Sequence, residues 1–249
     1  MKSSKIFITV ICTMLCGKSI FADDQVFEPK EVPAPVERVF VPTGFDSNDN
    51  IEVVIYGKFP NSCYKVGHAN YSIDILKNEI EISLTAYEYK SGFCIQLITP
   101  YLESVKIGVL PVGEYNIKIK DTEFEDTLMV AQSMVSSPDS FLYANISDVK
   151  LLNSQQHLVA GKQEIELEGE YPYTFHGCAV MERIEVIQIR EDILEVLPII
   201  KIINEGPLCK RESNFFKKRA QVDRDLIGTS LLHVRSASGS SLNRVVEGY

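Results

Sequence analysis

The chain contains no tryptophan, and only four histidines among its 249 residues. The histidines, His68, His157, His176 and His233, form neither a His-x-x-x-His nor a His-x-His pair, so the ligand spacing of a metalloprotease is absent as a motif. There is no Gly-x-Ser-x-Gly elbow and no glycine-rich phosphate loop. No stretch reaches the ~20 apolar residues that a spanning helix needs. Without tryptophan the largest aromatic platform for a sugar ring is gone, although 11 tyrosines remain. Basic residues are also in deficit, 25 against 34 acidic ones, for a net charge of −9. An acidic surface repels phosphate and argues against general nucleic-acid binding. What is present is ordinary globular composition, 45% apolar and 24% charged, with enough apolar surface to offset chain entropy.

The first 22 residues read as an exported leader. Lys2 and Lys5 precede a largely apolar run from Ile6 to Gly17, too short to cross a bilayer and suited to a signal-peptide core. Cleavage fits after Ala22, with Ser19 as a rival position. Cys16 raises lipid attachment as a minor alternative, but Leu15 precedes it where a small residue is usual. Loss of this segment removes Lys2, Lys5 and Lys18 and takes the net charge from −9 to −12.

Four cysteines then remain, Cys63, Cys94, Cys178 and Cys209, and an even count in an exported chain predicts disulfides. Each neighbouring pair has the same spacing, and the surroundings match. Gly57-Lys-Phe-Pro60 precedes Cys63, and Gly169-Glu-Tyr-Pro172 precedes Cys178. A glycine shortly precedes each second cysteine (Gly92, Gly206), and an aromatic follows seven residues later (Tyr101, Phe216). GEYNIKI from Gly113 answers GTSLLHV from Gly228. This is the pattern of an internal duplication. It predicts the bridges Cys63–Cys94 and Cys178–Cys209, each worth ~3–4 kcal/mol of loop-closure entropy. The spacing is not the C-x-x-C of a redox or zinc site.

Period-two alternation predicts strands. It is clearest in Glu79–Tyr87, Gly113–Lys120 and Gln163–Glu170. Further strands are expected at Val36–Val41, Ile51–Phe59, Phe93–Ile98, Val105–Val109, Thr127–Val130, Ile184–Ile189, Leu194–Ile203 and Ser230–Val234. Ser147–Leu158 and Phe215–Asp225 are the two segments open to short helices. Some seven short strands per half, separated by Asn/Asp/Gly/Pro turns, predict an all-β protein of two tandem antiparallel β-sandwiches with one disulfide each. The predicted organisation is a leader (1–22), an extended proline-rich arm (23–35), a first sandwich (36–132), a linker (133–140, at the end of the polar stretch from Ala131) and a second sandwich (141–249).

On this strand pattern the chain resembles the tandem immunoglobulin-like domains of exported bacterial proteins. The resemblance covers most of the mature chain and implies a periplasmic or secreted binding or structural module. It departs from that family in lacking the tryptophan that packs against the disulfide.

The candidate sites are few. Lys210, Arg211, Phe215, Phe216, Lys217, Lys218 and Arg219 concentrate positive charge and aromatics, and form a candidate docking surface for an acidic partner. The alternative is a solvated segment with one phenylalanine buried. Glu164, Glu166, Glu168 and Glu170 share one strand face, either to bind a basic partner or as a solvated face. Asp46-Ser-Asn-Asp-Asn50 matches half a calcium loop, but Ile51 stands where that loop needs glycine. His176 lies two residues before Cys178 and reads as a loop histidine. No catalytic residue, metal or cofactor is predicted. The expected function is a non-catalytic module acting through protein–protein contacts, its partner another exported or envelope protein. The alternatives are a strand-donating periplasmic assembly chaperone, which it resembles in size and export, and a carbohydrate-binding module.

Overall fold

The computed structural model describes residues 28–90, 93–152, 163–204, 209, 213–223, 226 and 228–248. Every regular element among them is a strand. The first half contributes β1 (Lys30–Pro33), β2 (Arg38–Phe40), β3 (Ile51–Phe59), β4 (Tyr64–Asp74), β5 (Glu79–Glu88), β6 (Thr99–Gly108), β7 (Gly113–Ile119) and β8 (Glu125–Val130). The second contributes β9 (Asn145–Leu152), β10 (Glu164–Glu170), β11 (Cys178–Arg190), β12 (Ile193–Ile203), β13 (Phe215–Gln221), β14 (Gly228–Ser236) and β15 (Ser240–Gly248).

The two halves share one topology. The sheet β2-β3-β6 corresponds to β9-β10-β13, and β4-β5-β7-β8 corresponds to β11-β12-β14-β15. In each half one ladder runs parallel, β5 with β7 and β12 with β14, because the intervening strand crosses to the opposite sheet. The lead-in segments correspond too. β1 pairs with β5, and Tyr143 bridges to Ile199 of β12. Lys30–Pro33, near the end of the stretch expected as an extended arm, is therefore a strand of the first sheet. Cys63 is bonded to Cys94 and Cys178 to Cys209, with Cα atoms 5.3 and 5.5 Å apart.

Alternation places Ile51, Val53, Ile55, Ile80, Ile82, Ile117 and Leu128 in one core, and Ile165, Leu167, Leu194, Val196, Leu232 and Val234 in another. A third apolar cluster joins the halves. Phe40, Val54 and Tyr56, with Leu102, lie on the outer face of β2-β3-β6. They meet Ile193, Leu231 and Val245 from the outer face of β12-β14-β15. The result is four sheets in a stack, with two sandwich cores and one apolar seam between them.

The segment between the halves is fastened to both. Asn48 donates to Ser133 Oγ (3.0 Å) and to the Val135 carbonyl, while both Asp139 carboxylate oxygens accept from the Ser238 and Gly239 amides (2.8 and 2.9 Å).

Three expectations are corrected. Phe215–Gln221 is a strand and not a helix, because its Lys217 and Arg219 stand opposite Glu168 and Glu166 of β10, and cross-strand pairing overrides local propensity. The described part of Ser147–Leu158 is likewise strand, pairing with the other side of β10. Phe93–Ile98 alternates like a strand but joins no ladder. It is tethered at Cys94, and Ile95 exchanges hydrogen bonds with Ser62 instead.

The repeated glycine has a steric cause in both halves. A Cβ on Gly57 would lie 2.0 Å from the Pro35 carbonyl oxygen and 2.6 Å from Tyr101. One on Gly169 would lie 2.1 Å from the Asn145 carbonyl oxygen and 2.8 Å from Phe216. Each glycine lets the lead-in chain cross closely over the strand beside the repeated aromatic, which packs on Phe59 or Tyr171. Gly57→Ala and Gly169→Ala are each expected to lose ~1–3 kcal/mol or more of stability in chemical denaturation, since the obstructing atoms are backbone. Gly113→Ala, whose Cβ would meet its nearest neighbour at 3.6 Å, is expected to change stability by only ~0.5 kcal/mol.

Candidate functional site

The predicted basic surface is largely self-neutralised. Lys210 and Arg211 lie outside the described residues. Phe216 is buried against Tyr171, while Phe215 is exposed. Lys217 pairs with Glu166 (2.6 Å) and Glu168 (3.0 Å), and Arg219 pairs with Glu166 (3.0 Å). Lys218 alternates to the other side of β13, in register with Leu167, and is exposed. The glutamate row thus sits on a central strand, with cations on both neighbours: Lys150 of β9 also reaches Glu168 (3.4 Å). Hydrogen bonds from Lys217 and Arg219 hold the Glu166 carboxyl below its usual range. The structure brings the expected basic and acidic residues together as one charged ladder.

The Asp46–Asn50 turn likewise spends its carboxylates internally. Asp46 accepts from the Asn48 amide, and Asp49 accepts from the Asp46 amide, both at 2.8 Å. Asp49 also pairs with Arg235. Among the described residues no group of three or more His, Cys, Asp or Glu is arranged to hold a metal ion. His176 is an exposed loop residue; His157 lies outside the described residues.

Two other features stand out. The first is a buried polar cluster at the seam between the sandwiches. Glu52 of β3 is 4% exposed and His233 of β14 is 1% exposed, their nearest atoms 3.5 Å apart. Glu52 Oε1 accepts from Ser241 Oγ and from Asn243 Nδ2 (2.7 Å), and the same Nδ2 donates to Ser104 Oγ (3.0 Å). The Asn243 side chain also bonds His233 Nδ1 (2.8 Å). Serine, histidine and glutamate meet here without nucleophilic geometry: the serine proton points to the carboxylate, and the imidazole is sealed. Sequence reading missed this cluster, because its members come from β3, β6, β14 and β15 and form no motif.

The second feature is apolar and exposed. Phe93, Ile95, Leu97 and Ile98 are 90%, 56%, 64% and 64% exposed on the unpaired segment stapled by Cys94. Tyr173 and Phe175 are fully or almost fully exposed beside Cys178 in the second copy. Large apolar side chains so concentrated in water are unusual on a protein surface.

The comparisons agree with this architecture. A family model described as the ORF11 beta-sandwich domain matches residues 53–130, which run from β3 to the end of β8 in the first sandwich. No curated protein matches the chain. No solved structure matches it. The match supports a β-sandwich fold; it covers one sandwich of the two.

The seam carries a pH dependence. Burial pushes the His233 pKa below the ordinary 6.5, outweighing the pull of Glu52 and the Asn243 hydrogen bond, while Arg235 also lowers it. The folded protein therefore holds a neutral imidazole that the unfolded chain protonates below about pH 6.5. Stability is expected to fall as pH drops through that value, by at most about 1.4 kcal/mol per pH unit for this group. Glu195, whose carboxyl burial raises above 4.5, acts in the opposite sense nearer its own range. His233→Gln is expected to flatten the slope near pH 6 in denaturant titrations at stepped pH.

Proposed function

We propose that this is an exported, non-catalytic binding protein of two immunoglobulin-like sandwiches, working in the periplasm or outside the cell through contacts with another exported or envelope protein. The observation that carries the reading is the exposed apolar row Phe93, Ile95, Leu97 and Ile98 on a disulfide-stapled segment. A staple reduces the ordering entropy that a loop must lose on binding. Two bridges fit an oxidising compartment, and the leader-like start fits export. No helix among the described residues is long and apolar enough to cross a membrane. A binding role also accounts for what the seam cluster does not do, since its serine and histidine are committed to holding the sandwiches together.

The side chains concerned touch little of the fold, so they can be changed separately from stability. Phe93→Ser with Leu97→Ser is expected to alter unfolding by only ~0.5 kcal/mol. A photo-crosslinking residue at Phe93 or Leu97, in cells expressing the full chain, is expected to give a discrete protein adduct. The same probe at exposed Lys120 is expected to give none. The Ile95→Ser change should weaken that adduct about tenfold or more. Equal labelling from all three positions would reject the reading.

A further inference from the structure

Beside the seam cluster lies a groove of about 380 Å³, room for about a dozen waters. It opens where the start of β3, the end of β6, the middle of β4 and the β14–β15 turn converge, at the junction of the two sandwiches. Junctions of this kind are preferred ligand sites.

Its walls mix polar groups with the Tyr71 ring and Ile107, and both signs of charge are present. Glu52 lines it from the buried side, fixed by Ser241, Asn243 and the neighbouring His233. Both of those hydrogen bonds fall on Oε1. Among the described residues only Ser230 Oγ is a sealed side-chain polar atom without a partner. Glu52 Oε2 is therefore not sealed, and the groove is the space that Glu52 lines. Lys106 stands beside it, opposite Glu52 in the β3–β6 ladder, exposed and, among the described residues, in no ion pair. The other walls carry the hydroxyls of Ser240 and Ser241 and the half-exposed ring of Tyr71, which is positioned by its hydroxyl on the Ile107 carbonyl (3.1 Å).

This set selects by chemistry. The carboxylate disfavours an anion, and the lysine disfavours a cation. A hydrocarbon would cover the Tyr71 ring and Ile107 but strip water from Glu52, Lys106 and the serine hydroxyls without replacing its hydrogen bonds. A neutral ligand that both donates and accepts hydrogen bonds around a ring with C–H faces satisfies all of them: ring hydroxyls to Glu52 Oε2 and Lys106 Nζ, and C–H bonds on Tyr71. We infer that the junction groove is a binding site for a neutral saccharide. The inference is independent of the protein-contact reading, which rests on a different surface.

The test uses the full mature chain, labelled for backbone amide NMR and titrated to millimolar concentrations with glucose, galactose, mannose and N-acetylglucosamine, and separately with inorganic phosphate. The expected result is that at least one sugar shifts amides of Tyr71, Ile107 and Ser238–Ser241, while phosphate does not. Lys106→Met should weaken that sugar about tenfold with an unchanged melting temperature, and Tyr71→Ala should also weaken it about tenfold while the chain stays folded. Glu52 also holds the seam, so the two exposed-side variants carry the decision. If no sugar shifts those amides, if phosphate shifts them as strongly, or if both variants bind like the parent, the inference is overturned.

Discussion

The contact of β2-β3-β6 with β12-β14-β15 is the constraint on which the rest depends. It makes two sandwiches one molecule, buries the seam cluster and creates the groove beside it. The two faces that meet are not equivalent faces of the repeat: one belongs to the three-stranded sheet, the other to the four-stranded sheet. A head-to-tail contact between repeats does not close on itself and would propagate if both copies kept both faces sticky. The registers show how this chain stops at two. Where the first copy presents Phe40, Val54, Tyr56 and Leu102, the second presents Lys150, Glu166, Glu168 and Lys217. Where the second copy presents Ile193, Leu231 and Val245, the first presents Glu79, Asn116 and Thr127. The charged ladders are the polar ends that a stack of repeats needs.

Within each copy a second constraint is shared and undiverged. The lead-in chain crosses from one sheet to the other directly over Gly57 or Gly169, and Tyr101 or Phe216 closes the space beside it. In the first copy the tyrosine hydroxyl also donates to the Pro35 carbonyl (2.7 Å), and burial raises its pKa to about 12. In the second, phenylalanine fills the same place by packing alone. The disulfide then ties the chain just beyond this crossing to the approach of the aromatic strand. Glycine, aromatic and cysteine recur together because they build one corner.

That corner was legible because its parts lie at fixed offsets along the chain. The duplication, the cysteine pairing and the strands with regular alternation could all be read from residues. β4 and β15 were not anticipated. β4 is an edge strand whose alternation is broken by an irregularity between Val66 and Ala69, and β15 mixes serine, asparagine and arginine with its valines, because one side faces polar seam partners. The helix expectation at Phe215–Asp225 failed because Lys217 and Arg219 stand opposite glutamates some 50 residues away, and no local pattern shows that. The reverse failure is Phe93–Ile98, whose alternation is real but has no ladder to join. The seam cluster was invisible for a different reason. Glu52, Ser104, His233 and Asn243 acquire meaning only when the copies are docked, and each is an ordinary strand residue before that.

The seam cluster explains why docking has one orientation. An apolar seam of aliphatic side chains tolerates sliding and rotation, since hydrophobic contact is not directional. Asp49 on Arg235, Glu52 on Asn243 and Ser241, and Asn50 on the Gly239 carbonyl (3.0 Å) do not tolerate it. A shift of one residue would leave buried charges unpaired, at ~3–5 kcal/mol for each broken pair. These contacts fix β3 and β14 in opposite senses: Asn50 lies by the β14–β15 turn, Glu52 by His233, and Val54 in the cluster with Leu231. β3 runs toward Cys63, and β14 runs parallel to β12, whose far end pairs with Cys178. The two stapled corners therefore point away from each other, each free of the seam. The same polar contacts that make the interior specific leave the exposed apolar loops at opposite ends of the molecule.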